Sequence, residues 1–158
     1  MPGDLKSISK RRERFTRYVP LFVWIGVIFF LSSGQASMSE TSRFLRPLLE
    51  FFFPSATPET LTVFHGYIRK FAHLAEYAVV GFFAARAFST SSIELLRKHW
   101  LVLSLVLVFL IAGLDEFNQS LDSSRTGSIW DVLLDFVGGA FAISLYYLIR
   151  RGNLYRER

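Results

Sequence analysis

The sequence predicts an all-α fold, a bundle of four membrane-spanning helices with a partly helical extracytoplasmic loop. Three observations support it. Of the 158 residues, 51% are hydrophobic. Four apolar runs approach the roughly 20 residues that cross a bilayer. The basic residues cluster between or outside these runs. No other segment is large enough for a second domain, so we predict one membrane domain, 18–150, between basic tails at 1–17 and 151–158.

The four predicted spans differ in how cleanly apolar they are. They are residues 18–31, 71–88, 100–114 and 129–149. The third is the cleanest. The second is interrupted by His73, Glu76 and Arg86, and the fourth begins with two aspartates.

The positions of the basic residues predict the orientation. "KSISKRRERFTR" precedes the first span, "LRKH" lies between the second and third, and "RRGNLYRER" follows the fourth. A cytoplasmic excess of Lys and Arg would occupy these positions. We therefore predict both termini in the cytoplasm. The net charge of +5 is then explained by membrane orientation and does not indicate nucleic-acid binding.

The N-terminus also fits a second interpretation. A basic start, a short apolar core and "SSGQAS" resemble a secretory signal peptide, in which case residues 1–37 would be removed. The absence of cysteine from the sequence excludes disulfides, thiol nucleophiles and Cys-ligated zinc.

The first loop, 34–70, contains two helical signals. "SETSRFLRPLLEFFF" carries an apolar stripe that indicates either a helix in the membrane interface or an apolar loop packed on the bundle. Thr57, Pro58 and Glu59 form a helix start with an N-cap, a first-position proline and an acidic first turn. That helix either breaks near Gly66 or continues into the second span. No internal repeat favours an inverted-repeat transporter.

Polar residues converge at the outer end of the predicted bundle. With the N-terminus inside, the second, third and fourth spans all bring charges to this side. Helical spacing places Asp115 one turn from Gln119, and Asp131 one turn from Asp135. Gly138 and Gly139 would let two helices approach closely. The charges would then face one another in a pocket at the outer leaflet rather than face lipid.

A purely structural role would also explain these charges. Lys70 and Arg125 would neutralise two carboxylates in an ion network that locks the bundle. Asp131 and Asp135 would complement a helix dipole, with Ser128 as the N-cap.

Two stretches resemble the VanZ-like family. "RKFAHLAEYAVVG" and "GLDEFNQSLDSSRTGSIWDVLLDFVGG" follow its pattern, and the resemblance extends over about residues 19–149. Asp135 stands where many members have Asn. The matching positions are Lys70, His73, Glu76, Tyr77, Asp115, Glu116, Gln119, Arg125, Asp131, Asp135 and Gly138.

The resemblance implies a multi-pass protein of the bacterial cytoplasmic membrane and cell envelope. The family is named after a protein of glycopeptide-resistance gene clusters that is linked to lower susceptibility to teicoplanin. The resemblance therefore implies a connection with antibiotic resistance at the outer leaflet, where lipid-linked wall precursors are found.

Three functions remain open from the sequence. The first is binding or remodelling of membrane lipids or lipid-linked envelope precursors, with Lys70, Gln119 and Arg125 as ligand contacts. The second is an intramembrane enzyme acting on a lipid phosphate by acid–base chemistry or with a divalent cation. The third is a proton- or ion-coupled carrier, which fits less well because the acids crowd towards one surface. The candidate catalytic residues are His73, Glu76, Asp115, Glu116, Asp131 and Asp135.

No cofactor or metal is predicted. His73 and Glu76 form a single His-x-x-Glu, which is a weak metal signal, and the paired Glu-x-x-His of di-iron bundles is missing from the sequence.

Overall fold

The computed structural model describes the backbone of residues 2–32, 38–121 and 128–156, and the side chains of 15–32, 41–121 and 128–153. Within these residues all regular structure is helical, so the all-α prediction is confirmed. The helices are α1 (Pro2–Phe30), α2 (Met38–Phe52), α3 (Pro58–Ser89), α4 (Glu94–Lys98), α5 (Trp100–Ser120) and α6 (Ile129–Arg156).

Helix α3 begins where the sequence predicts and then continues without a break. The Thr57 side chain accepts a hydrogen bond from the Thr60 amide at 3.3 Å, and Pro58 takes the first helical position. The helix passes Gly66 and ends at Ser89. Of the two alternatives for this segment, the continuous helix is correct.

Helix α3 lies at the centre of the bundle, in contact with α1, α2, α5 and α6. The fully buried residues Tyr77, Val80 and Ala84 of α3 pack against Val108 of α5 and Ile143 of α6. The Tyr77 hydroxyl donates a hydrogen bond to the Ile111 carbonyl oxygen at 3.4 Å, so this residue packs between α3 and α5.

The backbones of α3 and α6 touch where glycines meet. A Cβ on Gly81 would overlap the carbonyl oxygen of Gly139, and one on Gly138 would overlap that of Leu74. Small residues allow such close approach between helices. The predicted role of Gly138 and Gly139 is therefore confirmed: on α3, Gly81 lies against Gly139 and Leu74 against Gly138.

Helix α1 belongs to the core. Its Leu21 and Ile28 are buried, and the Trp24 indole N–H donates to the Glu76 carbonyl oxygen of α3 at 3.0 Å. The helix begins at Pro2, within the predicted basic tail. The "SSGQAS" segment of the signal-peptide interpretation lies largely outside the described residues.

Two described helices are long and apolar enough to cross a membrane. Their apolar stretches are Trp100–Ser120 and Ile129–Asn153, and only 22% and 28% of an 18-residue apolar window in each are buried. The core helix of a soluble protein would be mostly buried. The exposed apolar surfaces of these two helices instead indicate contact with a membrane or with another protein. The apolar part of α1, Phe15–Phe30, is shorter, and α3 carries several charges.

The end of the bundle that contains Trp100 is rich in aromatic rings. Trp100 packs edge-on against Tyr146, with ring centroids 5.7 Å apart, and the Arg150 guanidinium lies 6.0 Å from the Trp100 ring centroid. Arg150 also donates to the Ser89 carbonyl oxygen at 3.2 Å. The Tyr18 hydroxyl contacts that of Ser91 at 2.7 Å, which brings α1 to the same end.

Candidate functional site

A cavity of about 170 Å³ lies between α1, α2, α3 and α5, at the end of the bundle opposite Trp100. One part of its wall is apolar, formed by Ile28, Leu31, Leu45 and Ile68. The other part is polar. Its polar lining is Ser32, Thr41, His65, Arg69, His73, Glu76, Asp115 and Gln119.

Helix α3 supplies much of the polar wall because of its residue spacing. His65, Arg69 and His73 follow one another at four-residue steps, and Glu76 comes three residues later. Residues three and four apart share one face of a helix. The four side chains therefore line the same side of α3 and enter the same cavity.

Three side chains from three helices meet beside this cavity. His73 comes from α3, Asp115 from α5 and Asp135 from α6, and one potential ligand atom from each lies within 4.8 Å of the other two. We call these residues the three-helix cluster. The two aspartates are only 1% and 2% exposed. The His73 Nδ1 lies 3.7 Å from Asp135 Oδ1, too far for a direct hydrogen bond.

A hydrogen-bonded chain fixes one side of the cluster. The Gln119 amide donates to Asp115 Oδ2 at 3.0 Å, and Arg69 donates to Gln119 Oε1 at 3.5 Å. The predicted proximity of Asp115 and Gln119 is confirmed. The other oxygen of Asp115 and the Oδ1 of Asp135 are buried and have no hydrogen-bond partner within the described part of the chain.

Lys70 and Asp131 lie at the rim rather than in the cavity. The Lys70 Nζ is 3.7 Å from Asp131 Oδ1, and the two side chains are 60% and 40% exposed. An exposed pair of this kind contributes about 0–1 kcal/mol. Although Lys70 and His73 are both on α3, only His73 lines the cavity.

Glu116 connects α5 to the start of α6. Its Oε1 accepts a hydrogen bond from the Ser128 backbone N–H. The Ser128 hydroxyl oxygen in turn accepts from the Trp130 amide at 3.2 Å, as expected of an N-cap. Glu116 therefore has a structural partner away from the cavity. Arg125, the predicted loop contact, lies outside the described residues.

The sequence interpretation missed the connection between α2 and α3. Both ring nitrogens of His65 are used, since Nε2 contacts the Thr41 hydroxyl at 3.0 Å and Nδ1 contacts that of Ser42 at 3.2 Å. Arg69 was also missed as a site residue. The four-residue spacing of His65, Arg69 and His73 was a usable signal for both.

Helix α2 confirms the predicted helical segment of the loop. It buries Leu49 but leaves Phe44, Leu48 and Phe51 at least half exposed. Its Thr41 and Leu45 line the cavity, so this helix covers one side of it.

The site is a cavity with a partly apolar lining and buried carboxylates at one side. An arginine can bind an anion, while a histidine beside carboxylates can exchange protons. A family model described as VanZ/LLP1 matches residues 17–150. No curated protein and no solved structure matches the chain.

Proposed function

This chain belongs to the VanZ/LLP1 family, and from that premise we propose a membrane protein of the bacterial cell envelope. Its cavity binds the phosphate-bearing head of a lipid-linked envelope component at the outer leaflet. Binding or remodelling of that component would lower susceptibility to teicoplanin. The observation that carries the proposal is the cavity with one apolar and one polar wall at a single end of the bundle.

The membrane arrangement belongs to the same proposal. α1, α3, α5 and α6 cross the bilayer as four antiparallel spans with both termini in the cytoplasm. The exposed apolar surfaces of α5 and α6 fit a lipid environment. The end that carries Trp100, Tyr146 and Arg150 combines aromatic and basic residues, as cytoplasmic membrane interfaces do. The cavity then opens towards the outside.

The ligand is inferred from the two walls. Ile28, Leu31 and Ile68 would contact a hydrocarbon chain, while Arg69 and Gln119 would contact a phosphate. Arginine suits phosphate because its planar guanidinium can donate two parallel hydrogen bonds. Lys70 at the rim would add positive charge at the entrance, and so would Arg125, which lies in the sequence between α5 and α6.

The test combines susceptibility with direct binding. We expect a Gram-positive host expressing the chain to survive more teicoplanin than one with an empty vector. Purified protein should bind vesicles that contain a polyprenyl phosphate. The substitution Arg69→Gln removes a charged hydrogen-bond donor. Binding to the vesicles should therefore weaken about tenfold or more, and protection against teicoplanin should be lost.

The matched control is Lys98→Gln, an exposed basic residue of α4 near Trp100. It should behave as the wild type at equal membrane abundance. Wild-type protein that neither protects the host nor binds the vesicles would show the proposal to be wrong.

A second candidate is an intramembrane hydrolase of lipid phosphates. It is favoured by the position of His73, which lines the cavity and lies 3.7 Å from Asp135. A histidine oriented by a carboxylate can act as a general base. Release of inorganic phosphate from a polyprenyl diphosphate by wild-type protein, but not by His73→Gln, would favour the enzyme over a binding protein.

A further inference from the structure

We propose that the three-helix cluster of His73, Asp115 and Asp135 is a binding site for a divalent transition-metal ion. The proposal deepens the proposed function, since a phosphate in the cavity would reach the ion. The metal site is nevertheless tested without any lipid.

The first argument is the donor set. One imidazole nitrogen and two carboxylate oxygens lie within 4.8 Å of one another. Bonds of about 2.0–2.2 Å hold metal ligands roughly 3–4 Å apart, so the side chains need to draw together by at most about 1–2 Å. Imidazole favours Zn²⁺ and its neighbours, and carboxylates also accept Mn²⁺. Zn²⁺ and Mn²⁺ are therefore the expected ions.

The second argument is independent of the spacing. Asp115 Oδ1 and Asp135 Oδ1 are buried with no hydrogen-bond partner among the described residues, and Asp115 and Asp135 are only 1% and 2% exposed. A buried carboxylate oxygen without a hydrogen bond is costly, and buried charges are usually paired or bound to metal. Both oxygens belong to residues of the cluster. An ion between them would supply what each lacks.

The balance of charge points the same way. The carboxylates of Glu76, Asp115 and Asp135 surround this region, while Arg69 is the permanent cation among the described residues that line the cavity. Lys70 pairs with Asp131 at the rim and is not part of the cavity lining. A dication would offset the excess negative charge. Each helix contributes one ligand, so the ion would also join α3, α5 and α6.

The surroundings of the cluster hold the Asp115 side chain in place and leave one side of the cluster open to the cavity. Gln119 donates to Asp115 Oδ2 at 3.0 Å and thereby fixes the orientation of the Asp115 carboxylate. Such supporting hydrogen bonds orient metal ligands. His73 and Asp115 also line the cavity, so coordination positions not used by the protein would face it. A phosphate oxygen could occupy one of them.

The experiment measures metal binding by the full chain in detergent. Chelator-treated protein is equilibrated with Zn²⁺ or Mn²⁺, and the bound metal and its affinity are measured by elemental analysis and calorimetry. We expect a single ion per chain. Asp115→Asn and Asp135→Asn should weaken binding on the order of a hundredfold, and Gln119→Ala should weaken it about tenfold or more.

The matched control is Asp131→Asn, which removes a carboxylate one turn from Asp135 on α6. It should keep the wild-type affinity. Equal loss in Asp131→Asn and Asp135→Asn would overturn the proposal, because binding would then follow total negative charge.

A measurement on the wild type alone covers variants that fail to fold. With Mn²⁺ bound, pulsed electron paramagnetic resonance should detect coupling to a histidine nitrogen. Wild-type protein that takes up neither ion, or bound Mn²⁺ without that coupling, overturns the metal site. Lipid-phosphate binding by metal-free protein at full affinity would leave the proposed function intact and remove the ion's role in it.

Discussion

Neighbouring acidic residues in this chain have different surroundings. Asp131 and Asp135 are one turn apart on α6, yet Asp131 is half exposed beside Lys70 and Asp135 is buried beside His73. A helical turn advances about 5.4 Å along the axis. That distance is enough to separate the rim from the interior, so equal spacing in sequence does not mean equal burial.

The shared face of Asp115 and Gln119 could be predicted from the sequence because it depends on helical spacing within one element. Which acids meet across helices could not. The distance from His73 to Asp135 depends on how closely α3 and α6 approach and on their relative depth. Sequence position also did not place Glu116, which is next to Asp115 but contacts the Ser128 backbone.

Glu59 gives a prediction about pH at the start of α3. Hydrogen bonding to its own backbone amide and to Thr57 lowers the pKa of its carboxyl below the ordinary value. A lowered folded-state pKa contributes stability above the unfolded-state pKa, and this contribution is lost as the pH falls through the folded value. We expect Thr57→Ala to raise the pKa of Glu59, as measured by carbon-detected NMR titration.

Thr57→Ser serves as the control because it keeps the hydroxyl, so the Glu59 pKa should stay low. An unchanged titration of Glu59 in Thr57→Ala would contradict the assigned cap interaction.

At the scale of elements, the crossing of α3 and α6 determines the geometry of the site. The glycine contacts at Gly81, Gly138 and Gly139 bring the two backbones together along the same faces that carry His73 and Asp135. The sequence predicted small residues on α6 but could not identify their partner on α3. Glycine alone does not specify which helix lies opposite.

We predict that Gly81→Ala and Gly138→Ala destabilise the bundle by about 1–3 kcal/mol, because the added methyl group would force the helices apart. The free energy of unfolding in mixed detergent, measured by circular dichroism, tests this. Gly113→Ala on α5 is the control, since its Cβ would meet nothing within 4 Å. Equal stability of Gly81→Ala and Gly113→Ala would show that the crossing is looser than described.

The helix lengths could be predicted only in part. Apolar runs located α1, α3, α5 and α6, but each helix begins before its run or ends after it. Helical hydrogen bonding continues into polar sequence as long as no residue interrupts it, so hydropathy marks the apolar part of a helix and not its ends. The short α4 has no apolar run of its own and was missed.

At the scale of the whole molecule, the cavity and the buried acidic residues lie at one end, and the group of Trp100, Tyr146 and Arg150 lies at the other. The sequence predicted the convergence of polar residues at one end, on the assumption that successive spans alternate in direction. The cavity itself could not be predicted. It depends on the separation of α1, α2, α3 and α5 in space, which no periodicity encodes.

The asymmetry predicts how the chain is oriented in the membrane. The sequence has no cysteine, so single replacements report individual positions. A membrane-impermeant maleimide applied to intact cells should label Ser55→Cys, between α2 and α3, and not Ser92→Cys, between α3 and α4. Both positions are exposed.

Permeabilised cells should show labelling of both variants, which controls for reactivity. Labelling of Ser92→Cys in intact cells would show the opposite orientation, in which the cavity faces the cytoplasm.

The central position of α3 has a consequence for biogenesis. This helix carries Arg69, Lys70, His73, Glu76 and Arg86, so it is a poor substrate for insertion by itself. In the folded chain it packs mainly against α5 and α6, which are synthesised later. We therefore expect α3 to remain beside the insertion machinery until α5 and α6 arrive. The central helix of the finished protein would then be among the last to leave the translocon.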